Sequence, residues 1–457
     1  MPRFGFPGTN PGASLLLTDL YELNMMQAYL EAGMTETAVF EFFVRKLPPG
    51  RGFFMAAGLE QVVQFLEEAR FSAQELDWLG TSGRFSRDLI DHLADLRFTG
   101  DLRAMAEGTV FFPNEPILRL SAPLPEAQLL ESRLINLLHF ECLIASKAAR
   151  MVLAAPGKTL VDFGLRRAHG AEAGLLAARA AYLAGFAASA TTLAAPVFGL
   201  PISGTMAHSF IQAHDDEETA FLRFARSRPD AVVLLLDTYD TEAAAEIVVR
   251  LAPRLRDEGI TVRGVRLDSG DLAEHARRVR RILDDGGLEQ VEIFASGGID
   301  EWSLTDFVRQ GAPIDGYGIG TSLTTSSDAP ALDCAYKLQV YAGQPKRKRS
   351  EGKATWPGRK QVFRRYDAAG TMAGDLLTLE GDAADGEALI APVLRGGKRI
   401  DSLPSLDQVR RHAAAELARL PEALRAPDPQ ETYEVTVSEP LKRLAENAYQ
   451  TVMKARN

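Results

Sequence analysis

Short runs of apolar residues recur along the middle of the chain, and each run ends in a cluster of glycine, serine, aspartate or arginine. The runs are LVDFG (residues 160–164), VFGLPISG (197–204), VVLLLD (232–237), VRGVRLDSGD (262–271), EIFASGG (292–298) and IDGYGIG (314–320). Segments rich in Ala, Arg and Glu separate most of them, and the runs recur at roughly 25–40 residues. Strand, polar tip and helix in repetition predict parallel β/α units. An open doubly wound sheet fits this pattern, but we favour a closed barrel because polar residues follow nearly every strand.

The two flanks of the chain have a different texture. Before residue 138 the pattern is mostly helical, with a predicted strand hairpin over residues 98–120. After residue 330 a basic stretch precedes an acidic tail with predicted helices at 405–419 and 441–454. The chain therefore divides into residues 1–140, residues 141–330 with the β/α pattern and the candidate site, and residues 331–457 with a basic flap.

Composition narrows the class of protein. The chain has 457 residues, 46% of them apolar, a net charge of −10 and two cysteines. These values are typical of a folded enzyme of two or three domains in a reducing cytoplasm. The acidic balance argues against a non-specific nucleic-acid binder, and the absence of a run of 18 apolar residues argues against a membrane span.

The most informative motif is GVRLDSGDL, residues 264–272. It places Arg266, Asp268, Ser269 and Asp271 at the end of a predicted strand, where charged side chains face an opening rather than a core. Two carboxylates beside a glycine suit a ribose diol or a divalent metal that phosphates also hold. The competing interpretation is a helix cap at Asp271 or Ser269, which explains one acid but not the cluster.

Two glycine-rich strand ends, ASGGID (residues 295–300) and GYGIGTS (316–322), follow one another in successive units. Glycine lets backbone N–H groups converge, and a helix N-terminus behind them favours an anion. Loops after the late strands of a barrel are frequent phosphate sites. Together the two loops predict a phosphate cradle.

A histidine and paired arginines add candidate chemistry. His208 lies between Thr205 and Ser209 at a predicted strand end, and Asp237 could accept its other ring N–H. Arg166 and Arg167 follow another strand, where two guanidinium groups suit a carboxylate or phosphate; the alternative for them is surface pairing with Glu172. A Walker loop and a GxSxG elbow are absent from the sequence.

A series of motifs in this order resembles the nicotinate phosphoribosyltransferase family. They are TDLYELNMMQAYL (residues 18–30), FFVRKLPPGRGF (42–53), DFGLRR (162–167), GTMAHSF (204–210), RLDSGDL (266–272), FASGGIDE (294–301), GYGIGT (316–321), CAYKL (334–338) and PGRKQVFR (357–364). The resemblance covers about residues 15–365, and the tail is less distinctive.

The resemblance implies an irregular β/α barrel with a second α/β domain built from the N- and C-terminal segments. It implies a cytoplasmic homodimer with shared active sites in NAD biosynthesis. The enzyme would join nicotinate to phosphoribosyl pyrophosphate, giving nicotinate mononucleotide and pyrophosphate. ATP hydrolysis would drive this reaction as in a ligase, and Mg²⁺ would be required, with ligands that the sequence does not identify.

The resemblance also assigns roles to residues. His208 would be phosphorylated by ATP, with Asp237 as its orienting partner and Asp268 on the ribose hydroxyls. The pyridine substrate would be bound by Tyr21 of the other subunit and by Phe163, Arg166, Arg266 and Thr205. The 5-phosphate would be held by Ser296, Gly297, Gly298, Gly318, Gly320 and Thr321. The charge of pyrophosphate or nucleotide would be met by Arg45, Arg166, Lys337, Lys348 and Lys353.

Three alternatives remain at this point. A nicotinamide-using relative would have the same barrel, but Arg166 and Arg167 favour a carboxylate substrate. Quinolinate-using relatives are shorter as a family. A sugar-phosphate aldolase or isomerase would share the phosphate loops, but it would need a lysine or acid base on a strand, and no strand end offers a lysine.

Overall fold

The computed structural model describes residues 11–348 and 355–454. The chain forms two compact units. The central unit is Lys147–Pro330, and the terminal unit combines the chain up to Ser146 with the chain from Ala331 onward. Helices and strands are numbered along the chain below.

The central unit is built on one parallel sheet of six strands in the order β7-β6-β11-β10-β9-β8. The strands are β6 (Thr159–Asp162), β7 (Ala188–Ser189), β8 (Val232–Leu235), β9 (Val262–Leu267), β10 (Glu292–Ser296) and β11 (Gly316–Ile319). The helices are the end of α6 (Glu131–Ala154), then α7 (Ala171–Ala184), α8 (Ala194–Phe198), α9 (His208–Gln212), α10 (Glu217–Ser227), α11 (Thr241–Asp257), α12 (Leu272–Asp285), α13 (Glu301–Arg309) and α14 (Thr321–Thr324).

The predicted α/β fold class is confirmed. The expectation that its strands close into a complete barrel is wrong. Every residue of the central unit is described, and within it no ladder joins the edge strands β7 and β8, so the sheet is a curled half-barrel. The predicted strand at residues 197–204 is also absent there. Its first residues end α8, Gly199 terminates that helix at φ +71°, and only Ile202 forms an isolated bridge with Ser189. Pro201 lacks the N–H that a longer ladder would need.

Local sequence explains why the helices of this unit start directly after the polar strand ends. Asp240, Asp271 and Asp300 each cap the next helix by accepting the backbone N–H of its third residue. Helix α12 then buries Leu272, Ala276 and further apolar residues along one face, while its arginines lie on the other side. Asp271 is therefore a helix cap, as the competing interpretation of its motif proposed.

In the described part of the terminal unit, the strands form three sheets. A seven-stranded antiparallel sheet has the order β13-β12-β1-β5-β3-β17-β18, a four-stranded sheet the order β16-β14-β15-β19, and β2 pairs with β4. The strands are β1 (Thr37–Val44), β2 (Phe54–Met55), β3 (Asp101–Ala104), β4 (Val110–Phe111), β5 (Pro116–Pro123), β12 (Cys334–Tyr341), β13 (Gln344–Pro345), β14 (Lys360–Tyr366), β15 (Met372–Leu379), β16 (Glu387–Ala388), β17 (Ala391–Arg395), β18 (Lys398–Arg399) and β19 (Val435–Val437). The helices are α1 (Leu20–Glu31), α2 (Leu59–Glu67), α3 (Ala73–Thr81), α4 (Arg87–Asp95), α5 (Leu124–Leu129), the start of α6, α15 (Leu406–Arg419) and α16 (Glu439–Lys454).

Candidate active site

Three neighbouring strands of the half-barrel end in polar side chains that bond to one another. Strands β8, β9 and β10 are adjacent and parallel, so their carboxyl ends meet at one edge. Ser269 Oγ donates to Asp237 Oδ2, and Ser296 Oγ donates to Asp268 Oδ1 at 2.5 Å. The predicted residues Asp237, Asp268 and Ser296 therefore share one linked rim, here called the carboxyl edge.

His208 begins α9 and faces this edge. Its Nε2 lies 3.7 Å from Asp268 Oδ2 and 3.9 Å from Asp237 Oδ1, with 37% of its side chain exposed. Its Nδ1 lies 3.2 Å from the hydroxyl of Thr238. The expectation that Asp237 accepts the other ring N–H differs from this geometry, because Thr238 makes the hydrogen bond. Sequence reasoning missed Thr238, and its only signal is its place directly after the aspartate that follows β8.

Arg266 is a largely buried cation in the same rim. Its Nη1 donates to Thr205 Oγ1 at 2.6 Å, and its guanidinium carbon lies 6.0 Å from the centroid of the Phe163 ring. Burial lowers the pKa of Arg266, the carboxylates of Asp268 and Asp237 oppose that shift, and nearby Arg166 adds to it. Arg166 itself is exposed. The two guanidinium groups can therefore face one small anion beside an aromatic ring.

Two polar atoms of the rim point to a ligand. Asp237 Oδ1 and Arg266 Nε are buried, and neither has a hydrogen-bond partner among the described residues. Buried charged groups without partners are costly in a folded protein, and active sites are where they are tolerated. We therefore expect a bound molecule to supply the missing partners.

The glycines of the two loops differ in the space that surrounds them. Gly297 has φ +94°, and a Cβ there would lie 2.1 Å from Asp268 O; a Cβ at Gly318 would lie 2.4 Å from the Phe163 ring. These two glycines allow close packing at the carboxyl edge. Gly298, at φ +65°, has open space where a Cβ would be, which leaves room for an anion near its backbone.

The two loops are joined to each other. Ser322 Oγ donates to the carbonyl of Ile299, so the turn after β11 is tied to the turn after β10. Gly320 precedes α14, and Thr321, its first residue, is exposed. The structure therefore brings the predicted phosphate-binding residues of both loops to neighbouring strand ends.

Asp162 is a second residue that sequence reasoning did not select. It is buried, accepts from the Gly164 N–H at 2.8 Å and from Ser189 Oγ at 2.7 Å, and burial raises its pKa. These bonds hold the Phe163 turn against β7. The motif DFGLRR marked this position, but its aromatic and basic residues drew attention away from the acid.

The remaining predicted residues belong to the terminal unit. Arg45 Nη1 pairs with Asp333 at 2.6 Å, and Lys337 Nζ lies 3.2 Å from Glu131. Lys348 is exposed, and Lys353 lies outside the described residues. Tyr21 is 45% exposed, and burial of its hydroxyl together with a hydrogen bond to Glu22 raises its pKa. Their roles toward a ligand stay predictions.

Across residues 11–348 and 355–454, no three His, Cys, Asp or Glu side chains form a group arranged to hold a metal ion. In the same described ranges, no helix has both the length and the apolar character needed to cross a membrane.

The parallel half-barrel and its polar carboxyl edge define an α/β enzyme. Residues 16–139 match the family described as nicotinate phosphoribosyltransferase (NAPRTase) N-terminal domain, residues 158–354 the NAPRTase family, and residues 381–445 the NAPRTase C-terminal domain. The chain belongs to the nicotinate phosphoribosyltransferase family.

Individual proteins agree with this assignment. The chain is 50% identical to nicotinate phosphoribosyltransferase pncB2 of Mycobacterium tuberculosis over 426 residues, which cover 93% of this chain and 91% of that protein. It is 32% identical to human nicotinate phosphoribosyltransferase, covering 96% and 97% of the two chains. The crystal structure of the human nicotinic acid phosphoribosyltransferase superposes with a TM-score of 0.85 at 30% identity, covering 94% of this chain and 99% of that one.

Proposed function

We propose that the protein transfers the phosphoribosyl group of phosphoribosyl pyrophosphate to nicotinate in cytoplasmic NAD biosynthesis. Family membership supports the reaction, and one observation carries its placement. His208, Arg266 and Asp268 converge at one edge of the parallel sheet beside a joined pair of glycine loops.

The chemistry needs little from the protein beyond electrostatics. The bond between C1 of the ribose and the pyrophosphate oxygen breaks with its electron pair leaving on pyrophosphate. The lone pair of the pyridine nitrogen then forms the new bond to C1. Because that lone pair is free, no general base is required. The transition state resembles an oxocarbenium ion, which carboxylates near the sugar stabilise. Asp268 would take this role. The Ser296 hydroxyl donates to its Oδ1, which fixes the carboxylate and supports the assignment.

Nicotinate would be recognised by the basic residues at the carboxyl edge. Its carboxylate would pair with Arg266 and Arg166, and its ring would lie against Phe163. Nicotinamide has no negative charge to satisfy two guanidinium groups, so the same site favours the acid over the amide. Tyr21 of a second subunit would cover the other face of the ring.

His208 is the proposed acceptor of a phosphoryl group from ATP, which makes the enzyme an ATP-dependent ligase. Nε2 attacks the γ-phosphorus, the bond to the bridging oxygen breaks, and ADP leaves with that electron pair; water later releases phosphate. The Thr238 hydrogen bond at Nδ1 supports Nε2 as the reacting atom. A phosphohistidine adds about two negative charges beside Asp237 and Asp268.

Mg²⁺ fits this site as a companion of the substrate phosphates. Asp237 Oδ1 is buried without a partner among the described residues, and Asp268 lies beside the same histidine. One or two carboxylates with phosphate oxygens are the usual ligands of this ion, which would supply neutralisation of the leaving pyrophosphate.

Product analysis tests the proposal. Purified protein receives phosphoribosyl pyrophosphate with nicotinate, nicotinamide or quinolinate, each with and without ATP and Mg²⁺. We expect nicotinate mononucleotide as the main product, formed faster when ATP is hydrolysed. Preferential formation of nicotinamide mononucleotide, or no turnover of phosphoribosyl pyrophosphate with any pyridine, contradicts the proposal.

A further inference from the structure

Four charged side chains of the central unit form a cluster, three of them buried and the fourth, Asp328, 23% exposed. Lys147 Nζ is 2.6 Å from Glu301 Oε2 and 2.7 Å from Asp328 Oδ1. Arg150 Nη1 is 2.6 Å from Glu301 Oε1 and 2.8 Å from Asp328 Oδ2. The Lys147 side chain is 2% exposed and that of Glu301 0%. Each cation therefore bonds both acids, and the four charges balance.

The two acids lie on the segments that follow the two loops in the chain. Glu301 is the first residue of α13, directly after the loop that carries Gly297 and Gly298. Asp328 follows α14, which begins directly after Gly320. Both cations come from one turn of α6, three residues apart. One helix therefore bonds both segments that follow the loops. The Ser322 hydroxyl also joins the two loops directly by donating to the Ile299 carbonyl.

The turn before Asp328 has an unusual backbone conformation. Ser326 has φ +44°, in the left-handed region that a side chain disfavours, and its buried hydroxyl donates to the Ala329 carbonyl. Such a conformation persists when surrounding contacts over-determine it. The ion pairs of Asp328 are contacts of this kind.

Stability alone is a weak reason for such a cluster. A buried ion pair is often matched or exceeded in stability by apolar residues of the same volume, whereas its directional bonds specify one geometry. We propose that Lys147 and Arg150 are positioning residues, which hold the two glycine loops in register for the 5-phosphate of phosphoribosyl pyrophosphate. This inference rests on the proposed function.

The test is a double variant, Lys147→Met with Asp328→Asn. It removes one positive and one negative charge, so Arg150 and Glu301 remain as a neutral buried pair and folding is preserved. The link from α6 to the second loop is weakened. We expect the KM for phosphoribosyl pyrophosphate to rise about tenfold, as when the supporting shell of a site is removed. The KM for nicotinate should rise much less, because Arg266, the proposed partner of its carboxylate, is held by Thr205 and not by the second loop.

The matched control is Lys360→Met in the terminal unit. Lys360 is a buried lysine paired with buried Glu41 at 2.5 Å, and neither residue lies in a glycine loop. This variant should lose thermal stability and keep the parent KM for phosphoribosyl pyrophosphate. If the double variant behaves like the control, with a lower melting temperature and no change in KM, the cluster is only structural and the inference is wrong.

The parent protein separates the two proposals. If it forms no nicotinate mononucleotide, the proposed function fails. If it is active and the double variant has an unchanged KM at full folding, the positioning role fails while the function stands. Calorimetric titration of phosphoribosyl pyrophosphate provides the same comparison without turnover, and a weaker affinity in the double variant alone supports the inference.

Discussion

At the scale of single residues, the place of a polar residue after a strand indicated where it lies in the fold. Its hydrogen-bond partners could not be predicted from the sequence. Asp268 and Asp271 stand three residues apart in one motif, yet Asp271 caps α12 and Asp268 bonds Ser296 of the next strand end. Capping depends on local sequence, so it could be foreseen. The Thr238 bond to His208 joins residues 30 positions apart and depends on how α9 packs, which no local pattern specifies.

His208→Ala tests the role of the exposed imidazole. We expect ATP to stop stimulating nicotinate mononucleotide formation, because the phosphoryl acceptor Nε2 is gone, while slow ATP-independent turnover persists. Steady-state rates with and without ATP give the ratio directly. His214→Ala is the control, since His214 follows the same helix and bonds the Phe210 carbonyl instead. Full ATP stimulation in His208→Ala would refute the phosphohistidine.

Glu22 predicts a pH dependence of stability. It is fully buried in α1, and burial raises its pKa from 4.5 to about 7, although Gln128 donates to it at 2.8 Å. Between pH 4.5 and 7 the folded chain keeps a proton that the unfolded chain loses. The free energy of unfolding contributed by this group therefore falls as pH rises through that window.

Glu22→Gln removes this titration. From pH 4.5 to pH 8, the free energy of unfolding of the variant relative to the parent should improve by about 1–3 kcal/mol. Urea unfolding at several pH values measures it, with Glu31→Gln at the exposed end of the same helix as the control for losing one carboxylate. Parallel stability curves for Glu22→Gln and the parent would contradict the raised pKa.

At the scale of elements, the sequence predicted the parallel strands of the central unit and the two C-terminal helices well. It did not predict the strands that follow residue 330. Five of the six apolar runs form strands, because continuous apolar runs are what a two-sided buried sheet requires. The end of the basic stretch, residues 360–365, lies in strand β14, with Arg364 buried against Asp375 and Glu416. Charge in a sequence normally indicates exposure, and these partners lie 11 and 52 residues away.

Gly297→Ala tests the close packing of the first glycine loop. A Cβ there would meet Asp268 O at 2.1 Å with φ at +94°, so the loop must move. We expect a large loss of kcat/KM for phosphoribosyl pyrophosphate, with about 1–3 kcal/mol of strain. Gly311→Ala is the control, because it also has positive φ (+60°) but open space around the new methyl group. Equal effects of the two substitutions would mean that backbone strain, not the clash, matters.

At the scale of the whole molecule, the family motifs predicted the two-domain fold better than periodicity and composition did. The β/α pattern predicts an α/β unit, but it could not show that the sheet stays open, because strand pairing at the edges depends on contacts far apart in sequence. That residues before 146 and after 331 form one unit was expected from the family resemblance and not from periodicity. Composition could not indicate that the two chain ends form one unit, since contacts between residues far apart in sequence leave no local signal.

Mixing two variants that each lack ATP-stimulated activity tests shared active sites. If Tyr21 acts in the site of a second subunit, Tyr21→Ala and His208→Ala proteins refolded together should regain part of the ATP-stimulated activity, about a quarter of it for random pairing in dimers. Each variant mixed with itself is the control. Absence of any recovery, with mixed dimers demonstrated by a tagged subunit, would contradict a shared site.

In the proposed function, phosphoribosyl pyrophosphate reacts at the carboxyl edge of the half-barrel. A crystal structure with phosphoribosyl pyrophosphate, Mg²⁺ and nicotinate bound tests it most directly. We expect the ribose hydroxyls on Asp268, the 5-phosphate at Gly297 and Gly298, and the nicotinate carboxylate facing Arg266. Ligands bound elsewhere, with these residues contacting only protein, would contradict it.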